Sequence, residues 1–308
     1  MPIFEIKKNK LGLIKEKKIS LEKDLQKITE DNLETIFGLN FVSSEFPLHN
    51  FRIDTLAFEE ETKSFVILEY KKDRSFSVVD QGYSYLALML NNKADFILEY
   101  NEKTNKNLKR EDIDWSQSKV IFLANSFTTY QQNAINFKDL PIELWEVKKY
   151  DNKTILYNQL KATDKKESIK TISKNKTIES VSREVKTYSI DDHFNSGWDN
   201  SRELFETLRT RILDIDPRLE EKINKYYVAF KISGIRINIC DIHSYMSKLE
   251  IALIRVEKKD LKDPENKLID VPWKKRGWGK HCKYIIVSPE DIDYAIFLIK
   301  QVYNKFYK

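Results

Sequence analysis

Two β-rich runs, Phe51-Arg52-Ile53-Asp54-Thr55-Leu56-Ala57-Phe58 and Phe65-Val66-Ile67-Leu68-Glu69-Tyr70-Lys71, constrain this chain more than any other feature. Between them lies the polar stretch Glu59-Glu60-Glu61-Thr62-Lys63-Ser64, short enough to be a hairpin connection. Side chains on a strand repeat every second residue, so Glu69 and Lys71 project from one face while Tyr70 points away. The hairpin sets Asp54 alongside Glu69. Two carboxylates and an ammonium are therefore expected to converge on one side of a sheet.

Oxygen-only donor sets suit Mg²⁺, which keeps several waters and takes one or two carboxylates together with substrate phosphate. A lysine beside such an ion can orient water or stabilise developing charge. An ordinary ion pair on a sheet face has the same Glu-x-Lys spacing, so the neighbouring elements decide between the two readings.

Those neighbours follow a definite order. Leu21, Leu25, Ile28, Leu33, Ile36 and Phe37 recur at helical spacing after Ser20, a candidate N-cap, with Glu22 and Asp24 in the first turn. One amphipathic helix ending near Gly38 is expected. Ser77 is placed to cap a second helix whose inward residues are Val79, Gly82, Leu86, Met89 and Leu90. Gln81 and Tyr85 lie one turn apart on it. Val120-Ile121-Phe122-Leu123-Ala124 reads as a buried strand, residues 129 to 137 as a short helix, and Ile142-Glu143-Leu144-Trp145-Glu146-Val147 as another strand.

Asp54, then Glu69-Tyr70-Lys71, then Gln81-Gly82-Tyr83-Ser84-Tyr85 resembles the PD-(D/E)XK nuclease superfamily, and the Gln-x-x-x-Tyr element is similar to that of its RecB-like branch. The likeness covers residues 1 to 160 and lies in motif order; Ile53 stands where the family often has proline. It implies an α/β restriction-endonuclease-like fold of order αβββαβ. It also implies Asp54 and Glu69 as metal ligands, with the Tyr70 carbonyl as a third and Mg²⁺ (or Mn²⁺ in its place) as cofactor. Lys71 becomes the residue that positions water or stabilises charge, and Gln81 organises the site or binds a phosphate. Glu34 matches the acidic residue that such nucleases place near the metal from the first helix, with Glu30, one turn earlier on the same face, as its competitor. Tyr85 is placed either to contact substrate or to fill the core.

At 308 residues, two domains are the default. Residues 1 to 160 carry 23 Lys and Arg against 25 Asp and Glu, a net of −2; residues 161 to 189 carry a net of +4, and residues 190 to 308 a net of +3. The first half is not basic in bulk, so phosphate attraction falls to local clusters or to metal, Lys72 and Arg74 beside the site being one such cluster. The stretch from 161 to 189 is rich in Lys, Ser, Thr and Glu and is read as a flexible or partly helical linker. Two cysteines, Cys240 and Cys282, make no disulfide framework, and no apolar run has the length of a membrane span. A cytoplasmic protein without a membrane partner is expected.

Residues 190 to 308 read as a separate α+β domain. Leu204, Phe205, Leu208 and Ile212 mark a helix, and Asp216-Pro217-Arg218-Leu219-Glu220 looks like the start of another. Strands are expected over residues 226 to 232, 235 to 242, 248 to 256 and 284 to 287, then a C-terminal helix carrying Ile292, Ile296, Ile299 and Val302. This half resembles a poorly characterised domain found beside nuclease-like domains, in a group sometimes labelled predicted transport proteins. Lys274, Lys275 and Arg276 between Trp273 and Trp278 suit phosphate contact with base stacking, or form an ordinary turn. The expectation is a metal-dependent phosphodiesterase acting on DNA, endonuclease before exonuclease. A binding or assembly module on the same fold and an RNA-directed nuclease are the alternatives. Cutting both strands of a duplex calls for two sites, so a homodimer is expected.

Overall fold

The computed structural model describes residues 2–17, 19, 22–71, 77–137, 139–161, 168–169, 175–235, 237–271 and 279–307. The chain forms two compact units, Met1–Thr187 and Tyr188–Lys308. Lys72, Arg74, Lys274, Lys275 and Arg276 lie outside the described residues, as do Ser20 and Leu21.

The first unit opens with a hairpin, β1 (Ile3–Lys7) and β2 (Lys10–Ile14), and a short β3 (Glu16–Lys17). Helices α1 (Glu22–Glu30) and α2 (Leu33–Phe37) come next. The single helix expected here is two. The Asn32 side chain donates to the Ile28 carbonyl at 2.8 Å, and its backbone N–H bonds back to Thr29. Asn thus offers the backbone a local alternative to continuing the helix. Gly38 closes α2 at φ 70°, a conformation that glycine adopts without a Cβ clash.

Three antiparallel strands follow, β4 (Asn40–Leu48), β5 (Phe51–Glu59) and β6 (Ser64–Lys71). In the β5–β6 hairpin Thr55 pairs with Leu68, so Asp54 stands across from Glu69, as the polar turn implied. Helices α3 (Val78–Asn91) and α4 (Lys93–Thr104) lead to β7 (Lys119–Ala124), which runs parallel to β6. After α5 (Thr129–Asn133), β8 (Ile142–Tyr150) adds in parallel to β7, and β9 (Ile155–Leu160) and β3 both pair antiparallel with β8. The result is a mixed α/β unit on a mixed sheet, with path β3-β8-β7-β6-β5-β4.

β6 is central and buried along Ser64–Tyr70, as a strand covered on both faces must be. Phe58, Phe65 and Ile67 face one core with Leu86, Phe96 and Tyr100 of α3 and α4. Ala57, Val66, Leu68 and Tyr70 face the other with Leu25 and Leu33 of α1 and α2. Period two then places Glu69 and Lys71 on the α3 side and Tyr70 on the α1 side.

The expected linker contains α6 (Lys176–Glu184), capped by the Asn175 side chain, which accepts from the Thr177 N–H at 2.9 Å. Ile178 and Val181 are buried in the first core, and Lys93 pairs with Glu184. Its isolated Ile and Val sit at spacings of three and four, which makes a narrow but sufficient apolar stripe. The first unit therefore runs past residue 160, to Thr187.

The second unit is a six-stranded antiparallel sheet of order β10-β11-β12-β13-β15-β14: β10 (Leu219–Ile223), β11 (Val228–Ile232), β12 (Asn238–Tyr245), β13 (Lys248–Ile254), β14 (Ile269–Val271) and β15 (His281–Ile286). Helices α7 (Asp199–Leu213) and α8 (Asp291–Tyr307) bury Phe205 and Ile299 against Phe230, Ile242 and Leu253 on one face. Leu219–Ile223, expected as a helix opening, is a strand. Arg218 and Tyr303 hold the Asp216 carboxylate at 2.7 and 2.5 Å, and pairing with β11 overrides the local helix signal. Among the described residues no helix is long and apolar enough to cross a membrane.

Candidate active site

The hairpin β5–β6 and the start of α3 build one cluster on the α3 side of the sheet. Asp54 Oδ2 accepts the Tyr70 backbone N–H at 3.0 Å, which ties the first carboxylate to the strand that carries the second. Lys71 Nζ donates to Glu69 Oε1 at 2.7 Å, and Gln81 Nε2 donates to the same oxygen at 3.2 Å. Glu69 is 4% exposed, and among the described residues its buried Oε2 has no partner within hydrogen-bond geometry, although the Tyr85 hydroxyl interacts electrostatically with this carboxylate. A buried carboxylate oxygen left in that state is costly in the folded chain alone.

Electrostatics point the same way. Burial, and then the neighbouring Glu69 carboxylate, push the Asp54 carboxyl up to about 7; the Tyr70 N–H and the Lys71 ammonium pull it back, and Glu45 adds a smaller upward push. The two carboxylates repel one another, and Lys71 only partly offsets that repulsion at Asp54. Tyr85, on the next turn of α3, is buried, and burial followed by the Glu69 carboxylate raises its hydroxyl well above the usual phenol range. Its ring belongs to the core, and its hydroxyl interacts with the Glu69 carboxylate.

Helix α3 reaches the cluster because of Gly82. A Cβ there would lie 2.4 Å from Ile142 Cδ1 and 2.8 Å from its Cγ1, so only glycine lets the helix seat this closely on β8. The Ser77 hydroxyl caps α3 by accepting from the Asp80 N–H at 3.3 Å.

Glu34 is exposed in the first turn of α2. Its competitor Glu30 is half-buried against the opposite face of β5. There it accepts from Thr55 Oγ1 at 2.5 Å and from Gln26 Nε2 at 3.0 Å. Sequence reasoning missed Gln26: its amide also donates to the Asp54 carbonyl at 2.9 Å and to Ser44 Oγ at 3.0 Å, which fixes the backbone behind the first carboxylate. A glutamine beside Leu25 on the inward stripe of α1 was the available signal. Also missed was Glu45, in left-handed backbone at φ 54° on β4 and paired with Arg52 at 2.7 Å.

Hard oxygen donors, two adjacent carboxylates and one orphaned buried oxygen fit a divalent cation that keeps much of its water. Among the described residues no group of three or more His, Cys, Asp or Glu side chains is arranged to hold a metal ion.

Fold and site together define a mixed α/β protein with a paired-carboxylate, lysine-bearing cluster on its first sheet. An uncharacterized protein of Haemophilus influenzae is 45% identical to this chain over 303 residues, which is 98% of this chain and 99% of the relative. The chain belongs to that protein's family. No family model matches it, so the resemblance noted for the second half rests on its sequence pattern. Among solved structures, a repair endonuclease from Pyrococcus abyssi is 16% identical, covering 39% of this chain and 45% of that one, with a TM-score of 0.23. EndoMS in its dsDNA2 complex is 14% identical, covering 42% of this chain and 57% of that one, with a TM-score of 0.25. The chain spans about half the length of those two structures.

Proposed function

We propose that the chain is a metal-dependent nuclease of the restriction-endonuclease-like kind, an endonuclease hydrolysing phosphodiester bonds in DNA. The observation that carries this reading is Asp54 beside Glu69, with Lys71 and Gln81 both donating to one Glu69 oxygen and the other buried without a hydrogen-bond partner among the described residues. The order α1, β4, β5, β6, α3, β7 around that cluster supports it.

Asp54, Glu69 and the Tyr70 carbonyl are the groups we assign to Mg²⁺, with Mn²⁺ as a substitute. A bound divalent ion supplies charge neutralisation on the phosphate and a water of lowered pKa. The chain's own residues do the rest. Lys71 and Gln81 both donate to Glu69 Oε1, which fixes the orientation of that carboxylate. Lys71 places an ammonium where negative charge grows as the phosphorus–oxygen bond breaks. Gln26 and the Tyr70 N–H fix Asp54 from its backbone and its side chain, which reduces the reorganisation needed during reaction. Lys72 and Arg74, which follow Lys71 in the sequence, and Lys274, Lys275 and Arg276 in the second half are assigned to the phosphate backbone.

The test is purified protein on plasmid, linear and single-stranded DNA and on RNA, with Mg²⁺, Mn²⁺ or chelator. Nicking or linearisation of plasmid that needs metal and disappears in Asp54→Ala and Lys71→Ala is expected. Cutting only of RNA would move the substrate assignment. Cutting unchanged by both substitutions, or none on any substrate, would overturn the reading.

A further inference from the structure

The first hairpin stands apart from the chemistry and carries a different signal. β1 and β2 pair with each other and with no other strand among the described residues. Their two-residue connection, Lys8-Asn9, has φ of 46° and 64°, the left-handed pair that a tight hairpin with native twist requires. Phe4 pairs with Leu13 and Ile6 with Leu11, so these four side chains line one face, while Glu5, Lys7 and Lys10 occupy the other. That apolar face is open: Phe4 is 46% exposed, Ile6 75%, Leu11 67% and Leu13 57%.

A lone two-stranded hairpin is marginal in water, and it becomes stable when its apolar face is covered. Soluble monomers rarely leave four large apolar side chains contiguous and bare. We propose that this face is the seat of a second copy of the chain, two hairpins packing face to face across a two-fold axis. Three features favour a copy over an unlike partner. The face bears no charge, so nothing on it selects a nucleic acid or a charged protein. It is made of like residues, Phe4 beside Leu13 and Ile6 beside Leu11, so the same patch on two copies can meet itself in an isologous contact. These four residues expose roughly 500 Å² per protomer, so covering them fully in both copies would bury about 1,000 Å², the least a specific interface needs. Glu5 and Lys7, 2.9 Å apart on the opposite face, keep that side wetted.

Sedimentation velocity and light scattering of the full chain, without metal or nucleic acid, test this from about 1 to about 100 µM. A dimer with a micromolar Kd is expected. The double substitution Ile6→Glu/Leu13→Glu should weaken it by about 100-fold or more, since it sets four carboxylates in the apolar contact. Because these side chains touch little within one protomer, far-UV circular dichroism and the melting temperature should stay as in the wild type. Hydrogen exchange of residues 3–14 supplies a second readout that needs no variant: protection should rise with protein concentration. A wild-type chain that is monomeric at the top concentration, a variant that dimerises like the wild type, or protection independent of concentration would each overturn the proposal. None of these readouts involves catalysis, so they stand or fall apart from the nuclease reading.

Discussion

Replacing Asp54 by asparagine removes a carboxyl that the fold holds against its own preference, and the gain can be worked out. The unfolded chain releases this proton near 3.8, whereas the native state holds it up to about 7. Between those values the native state binds one proton more than the unfolded state. Stability supplied by this residue therefore falls as pH rises through that window and stays low above it. About three pH units at 1.36 kcal/mol each sets a ceiling of about 4 kcal/mol. Asp54 is only partly buried, and solvent screening brings the expectation to about 2 kcal/mol. The amide introduced by Asp54→Asn keeps an acceptor for the Tyr70 N–H and cannot ionise. In chelator at pH 8 the variant should melt higher by roughly 4–8 °C for a unit of this size. At pH 4, where the folded wild type is neutral at this position and the unfolded chain is only partly ionised, the difference should fall to a small fraction of its value at pH 8. Differential scanning calorimetry of wild type and variant from pH 4 to 8 checks it. A difference that is constant with pH, or that shrinks toward pH 8, would refute the reasoning. Saturating Mg²⁺ should close the gap from the wild-type side, because a cation bound to the ionised carboxylates stabilises only the chain that has both.

Three further outcomes are expected. Gly82→Ala should destabilise the first unit by about 1–2 kcal/mol in denaturant melts, because overpacking against Ile142 outweighs the roughly 1 kcal/mol of helix propensity gained. Gln81→Ala should cost about 1–3 kcal/mol in kcat/KM on any substrate the wild type cuts, by freeing one side of Glu69, while Gln81→Glu, which adds a like charge at 3.2 Å, should be worse. Val181→Asp should unfold the first unit at 37 °C, seen as loss of protection in α6 and α3 by hydrogen exchange; a variant as protected as wild type would place α6 outside that core.

Part of the site is legible in the sequence alone. The pairing of Asp54 with Glu69, the split of Glu69 and Lys71 from Tyr70, and the Ser77 cap all follow from strand period and local capping chemistry. Those rules act over a few residues, so a single sequence carries them. Glu34 against Glu30 was not legible. The side chain of Asn32 breaks the helix between them, and the two glutamates come to belong to separate elements with separate faces. Nor was α6, whose polar composition hides an apolar stripe that acquires meaning only against α3. Leu219–Ile223 shows the same limit, since its strand state is set by β11 and not by its own opening residues.

The sequence by itself determined the chemistry available: two carboxylates, a lysine and a glutamine at spacings that strand and helix periods convert into shared faces. Tertiary structure decided what each of those groups experiences. Seating α3 on Ile142 through Gly82 brings Gln81 onto Glu69, burial lifts the Asp54 carboxyl, and the turn at Asn32 sends Glu30 to the far side of the sheet. Desolvation and charge–charge coupling depend on distances between residues far apart in the chain, which no local pattern encodes.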